Sequence, residues 1–170
     1  IIANDGQILD VVFYSATIRP APTVIVLHDI EDNRDLWIPF AQKLRTSGYN
    51  VAIPTLRRTP ENLSDAYWQQ LQADINSIIE NIFAINNIST GTTVMIGSGS
   101  GANLGIIGCS NLPSCVAVIA ISPQNNIQNL DFTNSILAFQ GRSMMLVSAD
   151  DDTIGTTTAE TLNNQLSGDH

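Results

Sequence analysis

The stretch that most limits what this chain can fold into is Thr92-Thr93-Val94-Met95-Ile96-Gly97-Ser98-Gly99-Ser100-Gly101-Ala102-Asn103-Leu104. It reads as a short apolar strand, a turn of small residues and the start of a helix. A turn this sharp brings backbone against backbone, so the residues flanking its apex must be small. That is the geometry of a nucleophile elbow, in which Gly-x-Ser-x-Gly lifts a serine above the end of a sheet. The glycines at 97 and 101 put the apex at position 99, and position 99 is itself glycine. A shifted register puts Ser100 at the apex, flanked by Ser98 and Ala102. The strand would then have to run through Gly97 and Ser98, so the spacing favours Gly99.

The remaining elements alternate. Ile8 to Ser15 reads as an opening strand after the turn Asn4-Asp5-Gly6, and Thr23 to Leu27 as a strand buried on both faces. Asp35 is the expected cap of a helix with Leu36, Phe40 and Leu44 inward and Gly48 as its stop. Asn50 to Pro54 is the next strand. From Ser64 a long helix places Tyr67, Leu71, Ile75, Ile78, Ile79 and Ile82 on one face. After the elbow come a strand from Val116 to Ile121, an irregular polar segment from Asn125 to Gln140, a strand from Ser143 to Val147 and a helix from Thr156 to Leu166. Strands separated by helices imply an α/β protein, a three-layer α/β/α sandwich around a mainly parallel sheet. The 170 residues suit one domain spanning 1–170.

Charge removes several functions. Sixteen acidic residues against seven basic ones give a net charge of −9. Such a chain has no basic stripe for a phosphate backbone, so nucleic acid is not an expected partner. No apolar run approaches the roughly 20 residues a membrane span needs. There is no metal-ligand cluster, no phosphate loop and no dinucleotide fingerprint after the first buried strand, so no cofactor is expected.

Cys109 and Cys115 bracket a tight loop containing Pro113. They read either as a disulfide formed in an oxidising compartment or as two reduced thiols beside the core. Scarce lysine and abundant Asn, Ser and Thr suit an exported, extracytoplasmic protein, while the glycosylation triplets at Asn62 and Asn87 are of a kind that arises often by chance.

Four segments together resemble the α/β hydrolases, of the small lidless kind typified by dienelactone hydrolases. They are Val24-Ile25-Val26-Leu27-His28-Asp29, Gly48-Tyr49-Asn50-Val51-Ala52-Ile53-Pro54, the elbow, and Leu146 through Ile154. The resemblance implies a minimal or C-terminally shortened version of that fold, and a Ser–His–acid triad acting on an ester, thioester or lactone. Residue by residue, the nucleophile position falls on Gly99, with Ser100 or Ser98 as substitutes. The acid falls on Asp152, with Asp151 as its neighbour. The one histidine in the right chain order is His170. His28 holds the place of a histidine that supports the oxyanion loop, and Asp29 replaces the glycine that normally follows it. The oxyanion donors implied are the amides of Ile30 and Ser100.

Two functions follow as expectations. One is a degenerate hydrolase that binds a small acyl- or ester-like ligand or a protein partner, or plays a structural part. The other is an active esterase using Ser100 (or Ser98), Asp152 and a histidine.

Overall fold

A computed structural model describes residues 1–85, 91–125, 132, 135, 136, 139 and 141–166. The Asn87 triplet, most of the polar segment after Asn125 and His170 lie outside these residues.

Six strands form one sheet: β1 (Val11–Tyr14), β2 (Thr23–Leu27), β3 (Asn50–Pro54), β4 (Thr93–Ser98), β5 (Cys115–Ile121) and β6 (Ser143–Val147). Their order is β1-β3-β2-β4-β5-β6. β1 runs antiparallel to β3 and every other pair is parallel. The helices are α1 (Ile38–Thr46), α2 (Asp65–Ile85), α3 (Ser100–Asn111) and α4 (Thr153–Gln165).

Side chains along a strand alternate between faces, and β2 shows what that does here. Ile25 and Leu27 join a core with the inward stripe of α2, with Leu104 and Ile106 of α3, and with Leu162 of α4. Val24 and Val26 join a second core with Ala41 of α1, against which Trp37, Ile38 and Leu44 pack. The sheet is therefore covered on both faces at its centre. All six expected apolar positions of α2 are buried.

Coverage fails at one edge. Ile119 and Ile121 of β5 stand opposite Met145 and Val147 of β6, and Met145 is 59% exposed. β6 is thus half-buried on one face, at Met144 and Leu146, and exposed on the other. Its sequence carries no charge and no proline to blunt the edge.

Several expectations about elements need correcting, among them the last helix, which begins at Thr153 and not at Thr156. The opening strand is shorter than Ile8 to Ser15, because Ile8 pairs instead with Ile2 across the N-terminal turn. The side-chain cap is Asn33 instead of Asp35: it accepts from the Asp35 amide and caps the turn that precedes α1. A 3₁₀ turn over Arg34–Trp37 precedes α1 and shifts its face, leaving Leu36 69% and Phe40 38% exposed and turning Ala41 inward. A tighter turn holds three residues instead of 3.6, so spacing counted across it slips.

Candidate functional site

The sheet's C-terminal edge is where the strand-to-helix turns converge, and the turn from β4 to α3 lies at its middle. Gly99 sits between the last residue of β4 and the first of α3 with φ 55° and ψ −124°, a conformation that side-chain-bearing residues rarely adopt. The flanking glycines serve close packing. A Cβ on Gly97 would strike the Gly101 carbonyl, and one on Gly101 would strike the carbonyls of Leu27 and His28. The turn is pinned to β5 by the Gly99 amide, which donates to the Ile121 carbonyl at 2.9 Å.

The loop after β2 reaches over this turn. Oδ2 of Asp29 accepts from the Ser100 amide at 2.8 Å, and Oδ1 accepts from the Glu31 amide at 2.9 Å. In return, Oγ of Ser100 accepts from the Ile30 amide at 2.9 Å. The amides of Ile30 and Ser100 are therefore brought together, and each is bonded to a side chain of the protein itself. A carboxylate at the first turn of α3 is also favoured by the helix dipole.

His28 is buried, and both of its ring nitrogens are engaged. The Leu56 amide donates to Nε2 at 3.2 Å. An amide cannot accept, so Nε2 is unprotonated and Nδ1 carries the proton, donating to the Asp29 carbonyl at 2.6 Å. Burial pushes the His28 pKa down, which keeps the ring neutral. The histidine thus ties the loop after β2 to the loop after β3.

That second loop is braced in turn. Thr59 Oγ1 donates to the Ile30 carbonyl at 3.2 Å. Arg57 holds Asp74 of α2 through two bonds of 2.8 and 2.9 Å, and Asp5 through a third of 3.0 Å. These residues escaped the sequence reading because nothing local marks them. Only the buried, charged Asp74 within an apolar helix stripe hints that a cation must meet it.

Asp152 is the N-cap of α4, its Oδ1 accepting from the Gly155 amide at 2.9 Å. That bond, together with one from Ser122, holds its carboxyl below the usual aspartate value. Ser122 has φ 50° and follows Ile121, the residue that receives the Gly99 amide. One residue of β5 thus separates the acid's partner from the elbow. Asp151 lies in the exposed turn before α4. Ser98 closes β4 with its hydroxyl buried and unbonded among the described groups.

Cys109 and Cys115 form a disulfide that joins the end of α3 to the start of β5. Among the described residues no group of three or more acidic, Cys or His side chains is placed to hold a metal. No described helix is long and apolar enough to cross a membrane.

No family model and no curated protein sequence matches the chain. Solved structures do resemble it. The Pyrococcus furiosus esterase superposes with a TM-score of 0.79 at 15% identity, over 98% of this chain and 74% of the esterase. An α/β hydrolase from Penicillium gives 0.64 at 18%, over 82% of this chain and 50% of that one. An esterase from Exiguobacterium antarcticum gives 0.57 at 16%, over 72% and 44%. This is the α/β-hydrolase fold. The chain spans between 35% and 50% of the length of several such neighbours.

In this α/β-hydrolase fold the sequence-derived residues divide clearly. The elbow segment, Ile30 and Ser100 meet at one point, and Asp152 is linked to the elbow only through Ser122, the residue after Ile121. His28 is near but committed to Leu56 and Asp29. His170 lies outside the described residues.

Proposed function

We propose that this chain is a non-hydrolysing member of the α/β-hydrolase fold that works outside the cytoplasm as a binding or structural module. The observation that carries this reading is Gly99, the one residue between β4 and α3 and the one with φ 55°. Acyl transfer by such enzymes needs a hydroxyl at that point and a base to activate it. Glycine offers no hydroxyl.

Two further features agree. The two amides suited to an oxyanion are taken by Asp29 and Ser100, and the carboxylate places negative charge where negative charge would develop. The one described histidine spends both nitrogens on the backbone. The buried disulfide supports an oxidising location.

The rival reading, an esterase in which Ser100 is the nucleophile, has to break the Ile30–Ser100 bond before chemistry starts. Hydrolysis of short aryl esters by purified protein, before and after Ser100→Ala, tests the choice. No turnover above a buffer blank is expected in either protein. Turnover abolished by Ser100→Ala would overturn the proposal.

A further inference from the structure

A Cβ built on Gly99 falls on Oδ2 of Asp29, with Cγ and Cβ of the same aspartate its next nearest atoms. The carboxylate therefore fills the volume that any side chain at position 99 would enter first. The same oxygen takes the Ser100 amide at 2.8 Å, and the Ser100 hydroxyl takes the Ile30 amide at 2.9 Å. Two side chains close the turn from opposite sides, one from the loop after β2 and one from α3.

We propose that Asp29 is an internal plug, and that positions 29 and 99 form one device that admits either a carboxylate at 29 or a side chain at 99, not both. The plug substitutes a fixed intramolecular anion for any external carboxylate or carbonyl at the Ser100 amide. It also welds the loop after β2 to α3, because a charge-assisted bond spans the two. The elbow of this chain is thereby closed by construction. The inference rests on Gly99 being the apex but not on whether any serine reacts. Labelling of Ser100 by a serine-directed probe would sink the functional reading and leave the coupling between 29 and 99 to be decided on its own.

A double-mutant cycle decides it. Asp29→Ala, Gly99→Ala and the double variant are unfolded in urea at pH 7.5. The backbone strain of a non-glycine residue at 99 enters both backgrounds equally and cancels. Gly99→Ala is expected to reduce the folding constant at least tenfold less in the Asp29→Ala background than in the unmodified one. Equal factors in the two backgrounds overturn the proposal. If Gly99→Ala alone does not fold, a folded double variant supports the plug, and an unfolded double beside a folded Asp29→Ala overturns it. The unmodified protein supplies a reading that needs no variant. Ser100 amide exchange slowed at least a hundredfold relative to an unstructured chain is expected, and exchange at the unstructured rate contradicts the contact.

Discussion

The amide of Leu56 donates to Nε2 of His28 across 28 positions of sequence, at 3.2 Å. This one bond fixes the tautomer and joins the loops that follow β2 and β3, while burial keeps the ring neutral. A histidine in that state is a strut. Replacing it by alanine leaves a buried Leu56 amide without its partner, which costs about 2 kcal/mol. Urea unfolding of His28→Ala is expected to show that loss with an unchanged m-value.

The same strut sets a pH dependence. Burial holds the His28 pKa below its ordinary 6.5. Between the folded value and 6.5 the unfolded chain therefore binds more protons than the folded one. The contribution is complete above about pH 6.5 and drains away as pH falls through the folded value, with a slope of at most about 1.4 kcal/mol per pH unit. Asp5 and Asp152, both lowered by hydrogen bonds, add their own loss only on approaching and passing below 3.8. Urea midpoints measured from pH 7.5 down to 5 should fall in the unmodified protein and stay flatter in His28→Gln.

Much of this frame is legible in the sequence. The apolar stripe of α2 and the continuous runs of β2 and β3 declare themselves, because burial on one face or both leaves a periodic trace. The elbow is equally plain, since its glycines are demanded by backbone contact between Gly97, Gly101 and the end of β2. Where reading failed, the cause is physical. The face of α1 slipped because a 3₁₀ turn precedes it, and β1 shortened because Ile8 found a local partner in Ile2. The plug was half legible: Asp29 stands out as an acid where the fold's pattern has glycine. Its grip on Ser100 joins residues 71 positions apart, and no local pattern records such a contact.

The ion pair beneath the site is structural. Asp74 is buried, its side chain 3% exposed, and depends on both Arg57 bonds. Arg57→Ala leaves that buried carboxylate with the Gln70 side-chain amide, which donates to it at 3.3 Å, but without its counter-charge, and is expected to cost about 3 kcal/mol. It also loosens the loop that supports His28 and Ile30. Thermal unfolding checks the first effect, and faster exchange of the Leu56 amide checks the second.

The disulfide closes a short loop between α3 and β5. By the chain-entropy argument it restricts the unfolded state by about 2 kcal/mol. Cys109→Ala/Cys115→Ala is expected to lower stability by that amount while preserving the fold, as read by circular dichroism and urea titration. A double variant as stable as the parent would remove the bridge from the account.

Intact-mass analysis after incubation with a fluorophosphonate probe shows whether any serine of this elbow is activated, because such probes modify a serine only when a base activates it. An unchanged mass is expected for the folded protein. An adduct mapped to Ser100 or Ser98 would contradict it and make this chain a working serine hydrolase.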